Sequence, residues 1–156
     1  MSQENILVIK LGALGDFVYA IGPMQAIKKH HKTAKITLLT RLSFADLGYK
    51  TKIFDDILID PEPNFWKLKS LYDFRKKINS FQFDRIYDLQ TSDRTGFYYK
   101  LLGPFKRPEW SGIAPGCSHY HHYKRPTLKH TQDRHREQLA LAGINEVLHP
   151  DLSFME

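Results

Sequence analysis

The sequence predicts an α/β fold of the Rossmann-like kind, a mostly parallel sheet with helices on both faces. Three observations lead there. Short runs rich in Ile, Val and Leu alternate with stretches of helical periodicity, which implies crossover units. The first run ends in a glycine-containing turn that opens a helix. The length, 156 residues with 42% hydrophobic and 26% charged side chains, is the material of one ordinary soluble domain.

Taken in order, Asn5 to Lys10 (NILVIK) suits a strand buried on both faces. After the turn LGALG, Asp16 is placed to cap a helix in which Phe17, Ile21, Met24 and Ile27 recur at three- and four-residue spacing. Gly22-Pro23 should kink or split that helix. Lys35 to Thr40 (KITLLT) is a second strand, followed by a short helix from about Ser43, and Ile57 to Ile59 is a third strand, closed by Asp60-Pro61-Glu62-Pro63. Phe65 to Ile78 predicts an amphipathic helix, with Phe65, Leu68, Leu71, Tyr72 and Ile78 along one side and Lys67, Lys69, Arg75, Lys76 and Lys77 around the rest. Asp84 to Leu89 is an interior strand, Arg94 to Leu102 a helix ended by Gly103-Pro104, and Lys106 to Trp110 a further strand. Gly112 to His130 mixes Gly, Pro, His and Tyr without a period and is expected as a long loop. Thr131 to Ala142 is the last helix, with Gly143 ending it.

No stretch approaches the roughly 18 apolar residues of a spanning helix, and the run from Ile6 stops at Lys10. Without a basic leader, and with Cys117 alone, the chain is expected in the cytoplasm. Its net charge of +6 is uneven: residues 94 to 136 hold nine Lys and Arg against Glu109 and Asp133. An anionic partner fits that surplus, as does a plain solvated basic face.

In such sheets ligands lie at the carboxyl ends of the strands, here the turn at residues 11 to 16, the stretch after Leu89 and the loop after Trp110. Gly12 and Gly15 allow a tight turn and bring backbone amides near a ligand, with a helix N-terminus just beyond. The pattern is neither G-x-G-x-x-G nor the triphosphate loop. Asp16 either caps the helix or takes a proton from a substrate hydroxyl, and spacing alone leaves both open. His119 to Tyr123 lacks the ligand spacing of a zinc site, so no metal is expected. Cys117 beside histidines does not by itself make a nucleophilic pair. Arg94 and the pair Lys124 and Arg125 are candidates for binding an anionic substrate, the guanidinium fork matching carboxylate and phosphate. Basic residues among aromatics, as in Phe97 to Lys100, keep a stand-alone module for nucleic acid or anionic headgroups as the alternative.

The order strand, L-G-A-L-G-D, helix with Pro23, KITLLT and then FDRIYDLQTSDRTGFYYKLLG resembles the N-terminal half of the family 9 glycosyltransferases, the ADP-heptose:lipopolysaccharide heptosyltransferases and their relatives. The segment around Asp16 and the DLQ of Asp88 to Gln90 carry the match, which runs to about Pro150 to Phe154. The resemblance implies the N-terminal domain of a GT-B fold over residues 1–156, with the acceptor on this domain and the nucleotide sugar mainly on a second, absent one. It implies inverting transfer without metal or cofactor, from a nucleotide sugar such as ADP-heptose to an anionic glycolipid acceptor, by a cytoplasmic protein placed peripherally at the inner face of the inner membrane. Asp16 would be the base, Gly12 and Gly15 would let the backbone approach the donor, and the chain alone would be inactive unless a separate polypeptide supplied the other half.

Overall fold

The computed structural model describes residues 3–104, 107–122, 131–147 and 149–156. Six strands form one sheet: β1 (Asn5–Ile9), β2 (Lys35–Thr40), β3 (Asp56–Ile59), β4 (Arg85–Asp88), β5 (Glu109–Gly112) and β6 (His119–Tyr120). Their order across the sheet is β3-β2-β1-β4-β5-β6, and every neighbouring pair is parallel. The direction of travel reverses between β1 and β4, so the carboxyl ends of those two strands flank the switch point where such sheets bind ligands.

The helices are α1 (Leu14–His30), α2 (Ala45–Lys50), α3 (Leu68–Ser80), α4 (Asp93–Leu102) and α5 (Thr131–Leu141). Alternation along β1 assigns them to faces. Ile6 and Val8 pack with Phe17, Ile21, Met24, Ile27 and Leu139, from α1 and α5, while Leu7 and Ile9 pack with Phe74, Ile78, Tyr98, Leu102 and Trp110, from α3, α4 and β5. Successive residues of a strand point to opposite faces, so a run apolar at every position requires a layer of helix on each side. That is the fold class the sequence predicts.

Several boundaries differ from expectation. Pro23 neither splits nor ends α1, which runs through it with Gly22, Pro23 and Met24 all buried. Packing of that face outweighs the one backbone bond the ring removes. The helix expected from Phe65 begins at Leu68, and Phe65 instead lies against Phe97 with ring centroids 4.5 Å apart. The fifth strand sits later, at Glu109–Gly112, where Ser111 is fully buried, and the expected loop contains the two-residue β6. No helix among the described residues is long and apolar enough to cross a membrane.

Candidate functional site

The side chain of Gln90 helps tie the carboxyl ends of β1 and β4 together. Gln90 Oε1 accepts from the backbone N–H groups of Leu11 at 3.0 Å and Gly12 at 3.3 Å. A carbonyl oxygen has two lone pairs, and both serve the turn that leads into α1. Gly12 has φ +130°, and a Cβ there would stand 2.3 Å from the Phe44 ring, so glycine is needed for both backbone and packing. The space its missing side chain leaves is filled by Phe44, which stacks on Phe17 at 5.7 Å. Gly15 differs. It is exposed, and nothing lies within 4 Å of where its Cβ would be. Of the two glycines, Gly15 is the one that leaves backbone open to an approaching group.

Asp16 is the third residue of α1 and is exposed. The helix is capped at Ala13 without any side-chain hydrogen bond, so the capping role open to Asp16 is not the one it takes. Among the described residues no hydrogen bond or ion pair holds it, but its charge acts on two buried neighbours, Lys10 and His135. Lys10, the residue after β1, is almost wholly buried, and its Nζ donates to the Leu89 carbonyl at 3.2 Å. Burial lowers its pKa, against the pull of Asp16 and Asp88.

His135 reaches in from α5 and meets the same Leu89 carbonyl at 3.4 Å through Nε2. A carbonyl only accepts, so Nε2 carries the proton. Burial, helped by the Lys10 charge, lowers the pKa of His135 to about 4 and keeps it neutral. One turn on, Gln138 Nε2 donates to the carbonyls of Asp88 at 2.8 Å and Ser111 at 3.1 Å, fastening α5 to the ends of β4 and β5. Asp88 is fully buried. Its Oδ1 accepts from the backbone of Gln90 and Thr91, at 3.0 and 2.9 Å, which favours the ionised form, yet burial dominates and pushes its pKa up to about 6.

Arg94 lies on the same rim, at the start of α4. Its guanidinium sits 5.0 Å from the centre of the Phe65 ring and donates to the Tyr98 hydroxyl at 3.3 Å. That hydroxyl in turn donates to Asp60, at the end of β3, whose two carboxylate oxygens are each 3.0 Å away. Lys124 and Arg125 lie outside the described residues. Beyond β5, His121 faces Glu137 at 3.1 Å, and no group of three or more His, Cys, Asp or Glu among the described residues is arranged to hold a metal ion.

The structure therefore places Asp16, Gly12, Gly15 and Arg94 along one edge of the sheet and adds Lys10, His135, Gln138 and Asp60, which sequence reasoning did not select. Lys10 carried a signal: a lone lysine closing an apolar strand just before a glycine turn. His135 and Gln138 carried none, because only the docking of α5 brings them to β4.

Solved structures share this architecture. A glycosyltransferase family 9 protein from Veillonella parvula DSM 2008 superposes with a TM-score of 0.74 over 93% of this chain and 42% of its own, at 18% identity. The E. coli heptosyltransferase WaaC, solved with ADP-2-deoxy-2-fluoro heptose, gives 0.71 over 96% of this chain and 52% of its own, at 13% identity. This chain has the fold of one part of these transferases. E. coli ADP-heptose lps heptosyltransferase II agrees at 0.62, with 16% identity over 88% of this chain and 40% of its own. The chain thus spans about half or less of the length of each. No family model and no curated protein matches the sequence.

Proposed function

We propose that this chain is the acceptor-side half of a GT-B glycosyltransferase of the heptosyltransferase kind. It would transfer a sugar from a nucleotide sugar such as ADP-heptose to an anionic, lipopolysaccharide-type acceptor. The observation that carries the reading is the exposed carboxylate of Asp16, in the first turn of the helix after β1, on a fold shared with heptosyltransferases over most of this chain. In the transfer, an acceptor hydroxyl attacks the anomeric carbon, its proton passes to the Asp16 carboxylate, and the sugar–phosphate bond breaks with its electron pair leaving on the nucleoside diphosphate. Gly15 leaves room beside that carboxylate, and Arg94 offers N–H donors, beyond the one given to Tyr98, for an acceptor carboxylate or phosphate.

Stabilising the leaving diphosphate is worth several kcal/mol of barrier, roughly 3 or more, and falls to the donor-binding half. Residues 1–156 alone should show no turnover. With the donor half supplied, as one chain or as a second polypeptide, Asp16→Asn should lower turnover by about 10²- to 10⁴-fold while acceptor binding persists. The assay is nucleotide release from ADP-heptose in the presence of a lipopolysaccharide-type acceptor; turnover close to that of the unsubstituted protein would remove Asp16 as the base.

A further inference from the structure

An arginine side chain has several rotating bonds, and a half-buried one in the first turn of a helix would lose that freedom each time it bound an anion. Around Arg94 the freedom is already restricted. The guanidinium lies over the Phe65 ring, 5.0 Å from its centre, and Phe65 is itself packed on Phe97 with centroids 4.5 Å apart. At its edge, Nη1 donates to the Tyr98 hydroxyl at 3.3 Å. Residues 94 and 98 are neighbours four apart on α4, so one turn of helix carries both.

The hydroxyl has a fixed role. Tyr98 is 2% exposed, its ring lies against Phe74 with centroids 4.5 Å apart, and both carboxylate oxygens of Asp60 are 3.0 Å from its oxygen. A carboxylate only accepts, so the single hydroxyl proton goes to Asp60 and the oxygen turns lone pairs to Arg94. Burial raises the pKa of Tyr98, which keeps that proton in place. Asp60 is held in turn: its N–H donates to the Thr40 carbonyl at 2.7 Å, and its Oδ1 accepts from the Glu62 N–H at 2.9 Å.

A neutral group between the two charges is the useful part. A carboxylate touching Arg94 directly would fill the fork that an anionic ligand needs. With Tyr98 interposed, one N–H serves for orientation, and among the described residues no ion pair holds Arg94. We propose that Tyr98 and Asp60 are positioning residues for Arg94, holding its guanidinium in place before an acceptor carboxylate or phosphate arrives. The proposal rests on the transferase reading for the identity of that anion, while the restraint on Arg94 is a property of the chain alone.

Two measurements separate these parts. The first needs no substrate: NMR relaxation of the Arg94 Nε–H group in the 156-residue chain, the signal assigned by its absence in Arg94→Lys. Arg94 should be restrained nearly as well as the backbone, and Tyr98→Phe should bring its order parameter below about 0.6, to the level of the exposed Arg136. Phenylalanine keeps the ring against Phe74, and circular dichroism checks the fold. Asp60→Asn is the second variant. It retains an acceptor for the Glu62 N–H but turns a donor to the Tyr98 oxygen, and should loosen Arg94 as well.

The second measurement is steady-state transfer by the enzyme completed with its donor half. Tyr98→Phe should raise the KM for a lipopolysaccharide-type acceptor about three- to tenfold, the loss falling on that KM and not on kcat or on the KM for ADP-heptose. In an Arg94→Ala background, Tyr98→Phe should add nothing, because it acts through Arg94. Arg94 as mobile as Arg136 in the unsubstituted chain, unchanged order in Tyr98→Phe, or additive effects of the two substitutions on acceptor KM each overturns the proposal and leaves the transferase reading standing. Restraint that Tyr98→Phe releases, in a completed enzyme that transfers no sugar, marks the failure of the transferase reading, and overturns the acceptor's part in the proposal with it.

Discussion

At the amino edge of the sheet, His31 is held between Glu4 and the Tyr87 hydroxyl, each at 2.7 Å. Arg85 donates to Glu109 at 2.7 Å, to the same hydroxyl at 3.1 Å and to the Ala142 carbonyl at 3.3 Å. The carboxylates of Asp84 and Asp55 accept from the N–H groups of Asn5 in β1 and Ile36 in β2, both at 2.8 Å. Charge there is met by charge, and donors by acceptors. At the carboxyl edge Lys10 is buried against a carbonyl, His135 is held neutral, Asp88 is pushed up by burial, and Asp16 stands exposed. Burial displaces protonation at both edges, lowering the pKa of His31 and raising that of Tyr87 at one, and taking Asp88 up to about 6 and His135 down to about 4 at the other; among the described residues only the first edge answers it with ion pairs to Glu4 and Glu109. The difference teaches how each edge uses its polar groups: one pairs them across the strands, the other leaves Asp16 exposed beside a buried lysine and a neutral histidine.

The comparison can be broken most forcefully at Gly12. Gly12→Ala meets both a left-handed backbone and the Phe44 ring, and should destabilise by about 3 kcal/mol or more in urea unfolding. Such a loss shows that one part of the carboxyl edge is also framework.

Next comes pH. Asp88 has an ordinary pKa of 3.8 and about 6 in the fold, so the fold prefers its neutral form, and stability from this group falls as pH rises from about 4 to about 6. His135 runs the other way: its pKa drops from 6.5 to about 4, so stability from it falls as pH falls through that range. Each effect is roughly 3 kcal/mol, and over pH 4 to 6.5 they oppose. The unsubstituted protein should therefore show a nearly level urea midpoint there. Asp88→Asn, which retains an acceptor for the Gln90 and Thr91 amides, should expose a loss of stability on acidification, and His135→Gln the reverse slope. Parallel profiles for the two variants would contradict the assignment.

A smaller effect sharpens the contrast from the other side. Arg85→Ala removes the hub of the amino edge and should cost about 2 kcal/mol, read from the shift in urea midpoint. The smallest effect belongs to Gly15→Ala: with open space around it and a place in a helix, it should change stability by less than about 1 kcal/mol, and toward greater stability. A large loss there would mean that the open space beside Asp16 is filled in solution.

How legible this was in the sequence depended on the range over which each feature is determined. Lys35–Thr40 coincides with the strand expected, because a short run of Ile, Thr and Leu, rich in β-branched residues and followed by Arg41, suits an interior strand. α1 does not break at Pro23, since tertiary burial of Phe17, Ile21 and Met24 overrides a local signal. β5 lies later than the expected Lys106 to Trp110, because Ser111 and Gly112 gain a strand's surroundings only where Gln138 and β4 enclose them. The site divides similarly. Gly12, Gly15 and Asp16 lie within one turn of chain and could be read together. Lys10 and His135 share a carbonyl only after α5 docks, a relation no spacing rule encodes.

The clasp made by Gln90 has a mechanical consequence. Because a single oxygen grips two consecutive amides, the exits of β1 and β4 cannot drift apart without releasing both at once. Any molecule that presses on the segment after β4 therefore also levers the first turn of α1, and with it the carboxylate at position 16. Glutamate at position 90 would keep the grip, and asparagine, one methylene shorter, would let it go.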